Sequence, residues 1–180
     1  MQYYLIPIAV LLLIVIISIY NRLSKRKNQI ENSISSLDAS YIKRSELIPN
    51  LVATVKKYMT FEENTLEKIT AMRSTTSNSN QAIEKEGNEA LKNLMIQVEN
   101  YPDLKANTQF TNLQYSWNEV EDEISAGRRY ISASITEYND AVTTFPGNLI
   151  SGLTGFKKYQ WQYATKEQQQ SIQATDLFES

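Results

Sequence analysis

Carboxylates are the only plentiful side chains in this chain that could do chemistry. Glu62, Glu63 and Glu67 fall in one stretch, and Glu119, Glu121, Asp122 and Glu123 in another. Carboxylates on facing helices are what a di-iron bundle uses, but there two of the helices also supply Glu-x-x-His pairs. The chain has no His. An all-oxygen Ca²⁺ or Mg²⁺ site is the metal chemistry that remains; a solvated helix face is the plainer reading of both runs, and the one adopted. With no Cys either, there are no thiol nucleophiles, no disulfides, no Cys or His zinc sites and no His acid–base catalysis. No Gly-rich phosphate loop is present. The net charge is −2, and no basic stripe is interleaved with aromatics, so nucleic acid is not an expected partner. The expectation is therefore no catalytic, cofactor-binding or metal-ligating residue, no cofactor, no small-molecule substrate and no enzyme activity.

Two basic pairs, Lys43-Arg44 and Arg128-Arg129, invite a structural reading instead. Arg44 falls on an apolar stripe, Arg128 beside another, and Glu121 lies seven residues before Arg128. A buried or half-buried Arg–Glu pair between helices fixes register more than it adds stability. The alternative is that the arginine stems cover the core edge with their heads in water.

The elements that would position these residues begin with residues 3–20, YYLIPIAVLLLIVIISIY, which carry no charge. About 20 apolar residues at 1.5 Å rise cross a bilayer core. No charge precedes the run and no small-x-small site follows it, so it is expected to be an uncleaved anchor and not a signal peptide. Arg22, Lys25, Arg26 and Lys27 follow directly. The positive-inside rule puts them in the cytoplasm and the N-terminus outside, and they would also attract anionic lipid. A pilin-like subunit, which runs an apolar helix into a bundle, is set aside for want of the Gly-ending leader and the early Glu.

The span leads without a turn signal into a helical stripe, Ile30, Ile34, Leu37, Tyr41, Arg44, Ile48, Leu51, Val55 and Tyr58, at steps of three and four. This first soluble helix is expected over about residues 21–73. Pro49 interrupts it, either as a kink or as the first residue of a new helix. The kink is preferred because the stripe keeps its phase and no Gly stands ready to turn. Ser74-Thr-Thr-Ser-Asn-Ser-Asn80 is a loop, with Ser79 or Asn80 as the cap of a second helix that reaches about residue 100. Its inner face is Ile83, Leu91, Leu94, Met95 and Val98, and Gly87 weakens its first half. Asp103 is expected to cap a long helix ending near Phe145. That helix carries Phe110, Leu113, Trp117, Val120, Ile124, Gly127, Ile131, Ile135, Tyr138, Val142 and Phe145 inward. Gly127 marks either a close helix approach or a tolerated small residue. A short helix through Leu149, Ile150, Leu153 and Phe156 follows, loosened by Gly152 and Gly155.

The stretch Phe156, Lys157, Lys158, Tyr159, Trp161 and Tyr163 is aromatic and basic. Helix lengths bring it back toward the bilayer, where Tyr, Trp and Lys are at home; the other reading is that these aromatics close the bundle end. The fold expected is all-α, an N-terminal transmembrane helix continuing into an antiparallel bundle of three to four helices. Its domains are an anchor over 1–20, a bundle over 21–160 and a polar, disordered tail over 161–180.

These residues resemble the LemA family. The resemblance is carried by Tyr20-Asn-Arg-Leu23, Lys43-Arg-Ser-Glu-Leu-Ile-Pro-Asn-Leu-Val52, Thr65-Leu-Glu67, Met72-Arg73 and Tyr101-Pro-Asp-Leu-Lys-Ala-Asn107 followed by Phe110 and Leu113. Arg128-Arg129, Tyr138-Asn139 and Phe145-Pro-Gly-Asn-Leu-Ile150 complete it. It covers roughly residues 20 to 160 and implies a single N-terminal membrane helix, an N-out arrangement, a helical bundle described as four-helix, and no established catalytic activity. Some members are linked to magnetosome membranes, which no residue here transfers. Two departures stand out: Lys57-Tyr-Met-Thr-Phe-Glu62 puts Phe61 where relatives often have His, and Arg128-Arg-Tyr-Ile-Ser132 lacks the Tyr-Asn of Arg-Arg-x-Tyr-Asn. The function expected is a bacterial membrane-anchored helical scaffold. It would bind other membrane proteins or itself in the inner membrane, with its bundle in the cytoplasm. The alternative is a lipid-binding or membrane-shaping bundle working through residues 22–27 and 157–163.

Overall fold

Helix-forming residues follow one another from the apolar run into the first amphipathic stripe, and they make one uninterrupted helix. In the computed structural model, which describes residues 2–59, 63–76 and 81–160, α1 spans Gln2–Tyr58. Then come α2 (Glu63–Ala71) with a 3-10 turn (Met72–Ser74), α3 (Gln81–Val98), α4 (Pro102–Lys105), α5 (Thr108–Thr143) and α6 (Gly147–Thr154). The described residues contain no strand, and the fold is an all-α helical bundle, as expected. The described residues form two compact units: those within 29–131, and residues 2–28 with 132–160. Both α1 and α5 contribute to each.

In the 29–131 unit one core joins Ile48, Leu51 and Val55 of α1, and Met59 just beyond it, with Ile69 and Met72. Leu91, Leu94 and Val98 of α3, Leu104 of α4, and Phe110 and Trp117 of α5 belong to it too. Pro49 does not end α1. It sits on the exposed face, where water can reach the Ser45 carbonyl that loses its donor. Arg44, Ile48, Leu51 and Val55 on the opposite side are buried, and that burial carries the helix through the proline.

The expected run to residue 73 does not occur. The Met59 N–H reaches the Val55 carbonyl at 3.0 Å, Lys56 and Lys57 complement the carbonyl end, and α2 starts afresh at Glu63. Periodicity could not reveal this break, because Met59 and Leu66 are seven residues apart and the stripe keeps its phase. Ending the helix lets Leu66, Ile69 and Met72 fold onto the core instead of running past it.

Gly87, expected to weaken the helix, also marks a close approach: a Cβ there would lie 2.1 Å from Met72 Cγ and 2.3 Å from its Sδ, so α3 and the 3-10 turn touch at this point. The capping role expected of Asp103 falls to Asn107, whose Oδ1 accepts the Phe110 N–H at 2.9 Å. Asp103 instead lies in the first turn of α4, which Pro102 opens. Thr75 and Thr76 lie in the expected loop outside any helix; Ser77, Asn78, Ser79 and Asn80, and with them the expected cap, lie outside the described residues.

The other unit is smaller in core. Leu23, Ile135, Tyr138, Val142 and Ile150 are buried in it, while the apolar side chains of residues 4–18 are exposed. This helix is long and apolar enough to cross a membrane. Phe145, expected inward, is 78% exposed: α5 ends at Thr143, so its helical phase no longer governs that residue. Gly147 is needed for close approach, since a Cβ would lie 2.0 Å from the Ala141 carbonyl oxygen. The Ser151 hydroxyl donates to the Val142 carbonyl at 2.9 Å and ties α6 to α5. Gly155 does not loosen α6 but ends it, with φ at 78°. The tail expected over 161–180 lies outside the described residues.

Candidate functional site

The charged residues of the 29–131 unit converge on Arg44. The helical phase that buries Ile48 and Leu51 also buries Arg44, whose side chain is fully enclosed. Its Nη1 donates to Glu84 Oε1 on α3 and to Glu121 Oε1 on α5, both at 3.0 Å. Its Nη2 donates to the Thr75 hydroxyl, which passes a bond to the Met72 carbonyl at 2.7 Å. The second arginine, Arg128 on α5, donates to the other Glu84 oxygen and to the Tyr41 hydroxyl. The Tyr41 ring lies 4.8 Å from the Arg44 guanidinium and 5.8 Å from that of Arg128. Two cations and two anions balance. Arg44 Nε is the one buried side-chain polar atom without a partner among the described residues.

Burial, with the Glu84 charge, pushes the Tyr41 hydroxyl above its ordinary pKa, against the pull of the two arginines. Burial also opposes the charge on Arg128, but the Tyr41 bond and Glu84 outweigh it and hold this guanidinium more firmly protonated. The cluster joins α1, the Thr75 segment, α3 and α5. That is the cross-helix Arg–Glu pairing expected, made between Arg44 of α1 and Glu121 of α5, with Glu84 of α3 as a further partner. Glu84 was missed. It sits in the charged run Glu84-Lys-Glu86, but it shares helical phase with Gly87, Leu91, Leu94 and Val98, and that was the available signal.

The expected carboxylate runs disperse. Glu63 and Glu67 are exposed on α2, Glu119 and Asp122 on α5, and Glu62 lies outside the described residues. Glu123 accepts from Lys43 Nζ at 2.9 Å and from the Ser40 hydroxyl at 3.1 Å. Those two bonds lower its pKa, and Glu123 raises that of Lys43. The described residues hold no cluster of metal-ligating side chains. An open groove of 420 Å³ runs between α3 and α5, with Leu91, Met95, Tyr115 and Trp117 beside Lys92 and Asn118.

In the other unit, Tyr138 and Asn139 clamp the segment after α6. The Tyr138 hydroxyl donates to the Lys157 carbonyl at 3.0 Å. Asn139 Nδ2 donates to the Tyr159 carbonyl at 3.0 Å, and its Oδ1 accepts the Tyr159 N–H at 2.8 Å. Phe156 meets Tyr20, the last residue of the apolar run, edge to face at 5.5 Å between centroids. Arg26 donates to the Glu137 carbonyl and lies 3.8 Å from its carboxylate. In the aromatic, basic stretch Phe156 and Tyr159 are half-buried, whereas Lys157 and Lys158 are exposed. Trp161 and Tyr163 lie outside the described residues.

Comparisons with known proteins agree with the motifs that these contacts explain. The LemA family model matches residues 33–175. The chain is 31% identical over 139 residues to Protein LemA of Metamycoplasma hominis, a match covering 73% of this chain and 63% of that protein. It is 33% identical over 72 residues to the Magnetosome protein MamQ of Magnetospirillum gryphiswaldense, covering 40% of this chain and 26% of the relative. The Magnetosome protein MamQ 2 of Paramagnetospirillum magneticum matches to the same extent. The chain thus spans less than two thirds of the length of these relatives. With the family model matching well over half of its length, this chain belongs to the LemA family.

Proposed function

We propose that the chain is a membrane-anchored helical scaffold. Residues 3–20 are its single span, its bundle stands in the cytoplasm of a bacterial cell at the inner membrane, and other membrane proteins or further copies of itself are its partners. The observation that carries this reading is the exposed apolar helix of residues 4–18, continuous with a bundle helix. A side-chain surface of that kind has no stable place in water and is long enough for a bilayer. The basic residues Arg22, Lys25, Arg26 and Lys27 that follow it support the cytoplasmic side. The proposal assigns no catalysis: Glu84 and Glu121 pair with the two arginines, and Glu63, Glu67, Glu119 and Asp122 are dispersed on exposed helix faces. The groove beside Trp117 and Tyr115 mixes apolar and aromatic side chains with Asn88, Lys92, Gln114 and Asn118, a composition that suits a protein contact.

The test is affinity purification of the full-length chain from its own membranes after mild cross-linking, followed by mass spectrometry. Recurrent recovery of a membrane protein, or of cross-linked copies, is expected. Recovery of lipid alone would overturn the scaffold in favour of a lipid-binding or membrane-shaping bundle, a reading supported by the exposed Lys157 and Lys158.

A further inference from the structure

We propose that α6 is an interfacial helix that lies on the bilayer surface and seats Phe145, Leu149 and Leu153 among the lipid headgroups and upper acyl chains. The inference rests on the reading of residues 3–20 as a span and deepens it. Three observations within the unit formed by residues 2–28 and 132–160 converge.

The first is an apolar face that the protein leaves uncovered. Phe145 is 78% exposed, Leu149 58% and Leu153 85%, whereas Ile150 between them is buried. Leu149 and Leu153 are one helical step of four apart and share a face. α6 thus has an inner face, Ile150 and Ser151, held to α5, and an outer face with no protein against it.

The second is its level. Phe156, two residues beyond the end of α6, packs on Tyr20. Tyr20 ends the apolar run, which at 1.5 Å per residue is about 27 Å long, close to a hydrocarbon core. The end of α6 therefore sits where the bilayer gives way to water, the zone that aromatic side chains favour.

The third is charge. Residues 141–156 contain no Asp, Glu, Lys or Arg, the longest such run after the N-terminal one, and Lys157-Lys158 follow at once. A water-facing surface of that length would carry charges. An uncharged helix flanked by exposed lysines suits an interface with anionic headgroups. Its fastening is rigid: Gly147 lets the chain pass against the Ala141 carbonyl, Ser151 bonds to α5, and the Tyr138–Asn139 clamp holds the outgoing strand of chain. A loosely tethered helix would have other places to hide its leucines; this one does not.

The natural absence of cysteine makes the test clean. Single variants L153C, L149C, L11C and Y115C of the full chain are labelled with an environment-sensitive fluorophore. They are then reconstituted in vesicles of phosphatidylcholine and phosphatidylglycerol containing nitroxide lipids. Labels at 149 and 153 should emit to the blue and be quenched most by shallow nitroxides. The label at 11 should be quenched by deep nitroxides, and the label at 115, on the other unit, by neither. Quenching at 11 without quenching at 149 and 153 overturns the inference and leaves the span intact. Loss of quenching at 11 as well overturns the span, and the inference with it. Efficient cross-linking of L153C between copies by a short bifunctional maleimide would show a second copy as the occupant and also overturn it. Unchanged helicity by circular dichroism accompanies each variant.

Discussion

The two units solve opposite problems with the same material. Around Arg44, two charged side chains, Arg44 and Glu84, are drawn out of water, and they pair with each other and with the partly exposed Glu121 and Arg128. Around α6, three large apolar side chains are left facing outward and nothing in the described protein satisfies them. A buried ionic cluster adds little net stability, because desolvation offsets the attraction, but its hydrogen-bond geometry accepts few alternatives. It therefore serves register: α1, α3 and α5 fit together in the one alignment that brings Arg44 onto both Glu84 and Glu121. An exposed apolar face says nothing about register and everything about surroundings. The first region tells how the bundle is assembled; the second tells what medium it was assembled for.

The comparison breaks most readily at Glu84. E84Q leaves Arg44 with the Glu121 carboxylate alone and takes from Arg128 the carboxylate it bonds, and stability should fall by about 3–5 kcal/mol, read by chemical unfolding in detergent. R44M/E84M removes a buried partner pair together and should cost less than the sum of the singles; additivity in that cycle would mean the cluster is not coupled. Leucines sharpen the contrast next. L94A, at a fully buried position, should cost about 2–5 kcal/mol, while L153A should change unfolding by less than about 0.5 kcal/mol. Equal losses would show that α6 has a protein neighbour.

Glycines give a smaller effect. G147A drives a methyl onto the Ala141 carbonyl and should destabilise by about 1–3 kcal/mol. G127A meets the Leu37 side chain, with Cδ1 nearest at 3.2 Å; a gain of roughly 0.5–1 kcal/mol in helix propensity offsets that crowding, and near-neutrality is expected. The smallest effect is a pH dependence. Tyr41 and Tyr138 both have pKa values raised by burial, so the folded state holds their protons longer than the unfolded one. That contribution is complete below the ordinary tyrosine value of 10.0 and is lost as pH rises through the folded values. Y41F should flatten the alkaline fall in stability, and Y138F should do the same for its own unit.

Much of this was legible because burial follows helical phase. The stripe through Tyr41, Arg44, Ile48, Leu51 and Val55 marked both the continuity across Pro49 and the burial of Arg44. Phase alone, however, does not see a helix end that preserves it, which is why the break after Tyr58 escaped notice. Nor does it hold past an end that alters it, which is why Phe145 was placed inward. Glu84 escaped because a carboxylate among charged neighbours reads as surface, although its phase with Leu91 and Val98 was there to see. The cap moved from Asp103 to Asn107 because Pro102 opens its own short turn first. Gly87 and Gly147 needed coordinates, since close approach depends on what the other element brings.

The central claim is that this bundle is held to a bilayer by its first helix. Extraction of native membranes with alkaline carbonate, followed by detection of the full-length chain in pellet and supernatant, tests it most directly. Retention in the pellet, abolished in L11D/I14D, is the predicted result; release of the unaltered chain into the supernatant would contradict it.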